Sequence, residues 1–195
     1  MKPERVTFYP CGGVGLVASS VCRLCALHLT EDLLPGKVDL LDMHQLLVGK
    51  EEEKRLVTRQ PVIVMDGCAE QCGSNFLWLL GIKPALRFYL PGFAGAYRLK
   101  LGGRRAVLVE TGQQLARLIA GNAARMARII LGGEYDFTPQ TLKTEPVQVA
   151  DYSVRVPDAL EYLEVIEPCI HRPETMPALP GEEGLRLKPA PEHQQ

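Results

Sequence analysis

The stretch VIVMDGCAEQCGSNFLWLL, residues 62–80, decides the fold. Its first four residues, Val62, Ile63, Val64 and Met65, are apolar without alternation, the pattern of a strand covered on both faces. Pro61 opens that strand, which the sequence predicts over residues 61–65. Asp66-Gly67-Cys68 then turns the chain into a helix predicted over residues 68–80, closed by Gly81. A central strand running through a tight corner into a helix is a βα unit, the building block of parallel sheets.

The same alternation extends on both sides. Residues 5–9 form a short β run, followed by a glycine-rich turn and a helix with Val14, Val17, Val21 and Leu24 at helical spacing. Pro35-Gly36 breaks that helix, and residues 37–41 make the second strand. Residues 46–59, with the solvated Glu51-Glu52-Glu53-Lys54-Arg55 run, read as a surface helix, and residues 86–90 as the fourth strand. Three βα units in succession predict an α/β fold in three layers: an open, mainly parallel sheet of the Rossmann or flavodoxin type. Beyond Pro91, residues 97–101 and 104–110 flank Gly102-Gly103, the signal of an added β-hairpin. Residues 113–131 form a long amphipathic helix with Leu115, Leu118, Ile119, Ala123, Met126 and Ile130 on one face. These parts make one α/β domain over residues 1–133, with its core at about 5–91 and the hairpin and helix at 96–131. Residues 134–195 form an irregular C-terminal extension. Within it, 147–156 is a candidate strand, 159–165 a short helix, and the stretch from about 173 a loosely held tail rich in proline and glutamate.

At 46% apolar and 23% charged, the 195 residues suffice for a real core. A formal net charge of −1 gives no electrostatic case for nucleic acid or an anionic membrane surface. Apolar runs are too short to span a bilayer. The N-terminal apolar stretch is interrupted by Pro10, Cys11, Gly12 and Gly13, a poor secretory signal, so a cytoplasmic location is expected. In a reducing compartment, the six cysteines (11, 22, 25, 68, 72 and 169) point to metal or redox chemistry rather than to a disulfide framework.

Position within the fold selects among them. Cys11 follows the first strand and Cys68 the third, and open parallel sheets gather their chemistry outside the carboxyl ends of the strands. Neighbouring strands lie about 5 Å apart, so these two tips are ~5–10 Å apart depending on strand order. Cys72, four residues after Cys68, is expected on the same face of the third helix, where free N–H groups and the dipole favour thiolates. Glycines 12, 13 and 67 free the backbone beside Cys11 and Cys68. Cys22-x-x-Cys25 is a weaker candidate. In a helix starting near Val14, Cys22 lies ~12 Å from the strand tip, and only a late start brings it back. Cys25 shares the apolar face with Val21. Cys169-Ile-His171 has a ligand-like spacing but reads as surface.

The motif MDGCAEQCG (Met65–Gly73), preceded by YPCGGVG (Tyr9–Gly15), resembles the DGC-domain family, described as zinc-binding and named after its Asp-Gly-Cys motif. The resemblance covers about residues 5–91 and implies a zinc site built from four chelating cysteines. Cys11, Cys68 and Cys72 match three of them. Where the family's remaining cysteine is expected, at the end of the second strand, this chain has Asp42, followed by His44. Both residue types ligate zinc, histidine being the better match to a thiolate-rich site. Asp42 also reads as the N-cap of the following helix.

Three classes of function follow from these residues. Zinc held by Cys11, Cys68, Cys72 and a fourth ligand comes first. The same cysteines suit an iron–sulfur cluster in electron transfer, and Cys68 with Cys72 suits a thiol-redox pair. No general base beyond Asp66, Glu70 and His44 lies near the motif, so no reaction is assigned; Asp66 reads as a cap of the third helix. The small residues Ala116, Ala120, Ala123, Ala124 and Ala127 permit close packing of the long helix, against the body or a second copy in a homodimer.

Overall fold

A computed structural model describes residues 2–143, apart from 14, 15, 48 and 104–106. Four strands, β1 (Val6–Pro10), β2 (Val38–Leu40), β3 (Val62–Asp66) and β4 (Leu86–Tyr89), form one parallel sheet in the order β2-β1-β3-β4. This is the α/β architecture expected from the sequence, in its flavodoxin-like strand order. Right-handed crossovers account for the layers. The path from β1 to β2 runs one way across the sheet. The paths from β2 to β3 and from β3 to β4 run the other way, and so cover the opposite face.

Alternation along each strand divides the core accordingly. Val6, Phe8, Ile63, Met65, Leu86 and Phe88 face α1 (Val17–Leu27) and α6 (Glu110–Ile129). Tyr9, Val62 and Val64 face α3 (Glu51–Arg59) and α4 (Cys72–Leu79) through Leu56, Val57 and Leu77. All five residues of β3 are buried, which is why its sequence lacks a polar face. Ala116, Ala120, Ala123, Ala124 and Ala127 of α6 are fully buried. The close approach they allow is realised within the chain, in one cluster with Ala18, Val21, Cys22 and Cys25 of α1. No helix among the described residues is long and apolar enough to cross a membrane.

Several boundaries differ from the sequence reading, each for a local reason. Helix α4 begins at Cys72, not Cys68. The Asp66 carboxylate accepts the Gly73 and Ser74 N–H groups at 3.1 and 3.3 Å, which fixes the first turn there. Residues 68–71 instead make a turn closed by Gln71 N–H to the Cys68 carbonyl at 3.2 Å, with Gln71 left-handed at φ 50°. The surface helix over 46–59 is two helices, α2 (Met43–Leu47) and α3, parted at Gly49, whose φ of 80° suits glycine. Within the charged run, Glu53 is buried rather than solvated and accepts the Asp42 N–H at 3.1 Å. Strand β4 stops at Tyr89 because Leu90 starts α5 (Leu90–Ala96), with Pro91 in its first turn.

Among the described residues, the expected hairpin shows one antiparallel bridge, between Gly103 and Leu108. Glu110, the last residue of its second strand, is taken by α6, and Leu99 and Leu101 pack on the core instead of laddering. The candidate strand 147–156, the short helix 159–165, the tail from 173, Cys169 and His171 lie outside the described residues.

One polar group on the α4 side of the sheet ties these elements together. Asp66 is 1% exposed, and besides its two backbone donors it accepts from Ser74 Oγ and from Arg87 Nε on β4, the latter at 3.1 Å. Asp66→Ala leaves the buried Arg87 without this carboxylate and α4 without its cap. It is expected to cost about 3–5 kcal/mol, measured as a lowered midpoint in urea denaturation with an unchanged slope.

Candidate thiolate site

Strands β1 and β3 are neighbours, and their outgoing connections leave toward opposite edges of the sheet. A crevice therefore opens beyond their carboxyl ends, the position where open α/β sheets bind ligands. Pro10 pairs with Met65 in the ladder, so Cys11 and the Asp66-Gly67 corner leave the sheet side by side. A methyl group built on Gly67 would sit 3.1 Å from Cys11 Sγ, 3.3 Å from Cys11 Cβ and 3.4 Å from Cys22 Sγ. Both sulfurs thus rest against the bare Gly67 backbone, and a side chain there would press on Cys11 by a few tenths of an ångström.

Cys22 reaches this point because α1 starts at Val17. Five residues into the helix is only ~7.5 Å of rise. Its thiol is completely buried and hydrogen-bonds to Cys11, which is partly exposed. The bond from Cys22 does most to pull the Cys11 thiol down, to about 6. Partial burial opposes the shift, and the backbone N–H groups of Gly13 and Gly67 reinforce it. Cys22 is pushed up, first by giving its proton to that bond and then by burial. The pair is therefore a thiolate and a thiol.

The other cysteines divide sharply. Cys72 is exposed at the start of α4, and its thiol is raised by burial of its sulfur's surroundings and then by the charges of Cys68, Cys11, Asp66 and Glu70. Cys72 therefore lies within electrostatic reach of both Cys11 and Cys68. Cys68 is half-buried in the turn ahead of α4, not on the helix face the sequence predicted for it. Cys25 is buried deeper in α1 and is raised by desolvation alone, as a core thiol. Tyr9 borders the site. Its hydroxyl donates to Met43 Sδ, and its ionisation is opposed by burial and by Asp66, Cys11 and Cys72.

Neither candidate for a fourth ligand joins the thiols. Asp42 caps α2: Oδ1 accepts the His44 and Gln45 N–H groups at 2.9 and 3.2 Å, and Oδ2 accepts Gln45 Nε2 at 3.0 Å. These bonds, that from the Gln45 backbone first, lower its carboxyl. His44 is 89% exposed, with Nδ1 3.7 Å from Asp42 Oδ1. Among the described residues, no three His, Cys, Asp or Glu side chains are gathered as a ready metal cage. Compared with known proteins, the chain matches no family model, no curated protein and no solved structure.

What this arrangement offers is a stabilised thiolate with a buried thiol behind it and two more thiols near. The sequence placed Cys22 too far along the first helix, because the start of α1 at Val17 lies after a glycine-rich turn without a capping residue. In metal-free protein, alkylation of Cys11 by iodoacetamide is expected to accelerate as pH rises through about 6. Cys22→Ala removes the main donor and moves that midpoint upward, toward the ordinary thiol value of ~8.5. Gly67→Ala, which presses on Cys11, is expected to act in the same direction. Peptide mass spectrometry of the modified protein reads each change.

Proposed function

We propose that the chain binds a soft metal ion, zinc foremost, through thiolates at the carboxyl ends of β1 and β3. The observation that carries this reading is the meeting of the two βα junctions, with Cys11 and Cys22 seated together on Gly67. In the proposal, Cys11 and Cys22 form the inner pair of ligands. Cys72 and Cys68 would complete the shell. Cys22 takes the place earlier considered for Asp42 or His44, whose polar atoms serve α2 or face solvent. The Gly13 and Gly67 N–H groups support ligand thiolates from behind, as outer hydrogen bonds do in metal sites.

A closed four-thiolate shell leaves no position for substrate, so the role that fits is structural, with binding energy added to folding energy. This agrees with what the resemblance of MDGCAEQCG to the DGC-domain family implies. A reducing compartment such as the cytoplasm suits it, because the ligands must stay free thiols.

Elemental analysis of protein purified without added metal tests the proposal. About one zinc per chain is expected, lost in Cys11→Ser, Cys22→Ser and Cys72→Ser but kept in Cys25→Ser. A protein that neither carries nor takes up zinc, or one whose uptake survives Cys11→Ser, overturns it. A brown protein carrying iron and sulfide moves the same ligands to an iron–sulfur cluster.

A further inference from the structure

We infer that Cys11 and Cys22 carry out thiol–disulfide exchange as a pair, Cys11 attacking and Cys22 resolving, with a low-molecular-weight disulfide of the glutathione type as the oxidant. The inference does not depend on metal binding. It rests on the contact between the two thiols and on their unequal access to solvent.

Access assigns the roles. Cys22 is fully buried, so no external disulfide reaches it, whereas Cys11 is partly exposed at the strand tip. In the first step the Cys11 thiolate bonds to one sulfur of the disulfide RSSR. The S–S bond breaks, and RS⁻ leaves with the bonding pair. Cys11 is now capped and no longer accepts the hydrogen bond from Cys22. Cys22 passes its proton to the RS⁻ released in the first step and attacks the Cys11 sulfur, and the second RS⁻ departs. Once the thiolates are protonated, the balance is two protein thiols and RSSR giving a protein disulfide and two RSH, with two electrons passing to the small disulfide. Excess thiol reverses the sequence.

The two glycines after Cys11 are loosely surrounded. A side chain on Gly12 would meet nothing within 4 Å, and one on Gly13 would make only ordinary contacts, at 3.8 Å to Cys11 Sγ and 3.9 Å to Ser19 Cβ. Cys25 cannot substitute for Cys22, since its sulfur is shut in the core among apolar neighbours. Cys72 and Cys68, the pair named from sequence, lie at the start of α4 and in the turn ahead of it, whereas Cys11 and Cys22 meet on the Gly67 floor. A Cys11–Cys22 disulfide also withdraws the two inner thiolates of the proposed metal site.

The test uses the full chain, stripped of metal under reductant, exchanged into oxygen-free buffer and exposed to oxidised glutathione. After an acid quench and alkylation, trypsin releases residues 6–23 as one peptide holding both Cys11 and Cys22, while Cys25 falls in the next. Wild-type protein is expected to give that peptide lighter by two hydrogens and resistant to alkylation. Cys22→Ala should accumulate one glutathione on Cys11, and Cys11→Ser should block both products, with circular dichroism confirming the folded state of each. A bridge between Cys68 and Cys72, a stable glutathione adduct on Cys11 of the wild type, or no reaction of the wild type overturns the inference. The wild-type readings decide even where a variant fails to fold. Because no metal is present, a chain that never binds zinc can still pass, and a zinc protein can fail here.

Discussion

The buried ion pair of Asp66 and Arg87 is the constraint from which the rest of the site follows. Asp66 lies on the same face of β3 as Val62 and Val64, and Arg87 is paired in register with Val64, so the two meet diagonally across adjacent strands. Each carboxylate oxygen receives two donors, which is how a charge with 1% exposure is tolerated. The bonds from Gly73 and Ser74 set where α4 begins. Gly73 belongs to the same arrangement, because a methyl there would come within 2.9 Å of Val64 Cγ2 and 3.1 Å of Asp66 Oδ1. With β3, β4 and α4 locked, the backbone leaving Asp66 has little freedom, and Gly67 is delivered against Cys11.

Each letter of the Asp-Gly-Cys motif thus has a different physical task. Asp66 organises the corner, Gly67 is the floor on which two sulfurs sit, and Cys68 stands in the turn beyond them. The floor is made of backbone, so it supplies an N–H donor as well as space. The thiolate at Cys11 and the closed core beneath it are consequences of the same close approach between the β1 and β3 loops.

Much of this was readable from the residues. Unbroken apolar character over 62–65 marked a central strand, and the Pro-Gly break at 35–36 separated the first helix from β2. The placement of Cys11 and the Gly67 corner at neighbouring strand ends followed from the βα pattern alone. What could not be read depended on contacts distant in sequence. Asp66 was legible as a helix cap, but not that it fixes the start of α4 at Cys72 through Gly73 and Ser74 while holding Arg87 on another strand. Asp42 carried two readings, ligand and cap, and the nearby His44 and Gln45 N–H groups realise the second. The Gly102-Gly103 signal implied a ladder, but Leu99 and Leu101 pack on the core instead. Cys22 was obscured by the glycine turn ahead of α1, where spacing gives no starting point to count from.

The groups that hold the Cys11 charge are one S–H and two N–H donors at bonding distance, not lysine or arginine side chains. Counterions screen charges separated by something like a Debye length, but they do not enter a short hydrogen bond on a glycine floor. The nucleophile should therefore keep its character from dilute buffer to concentrated salt, which sets it apart from thiols activated by a surface cation.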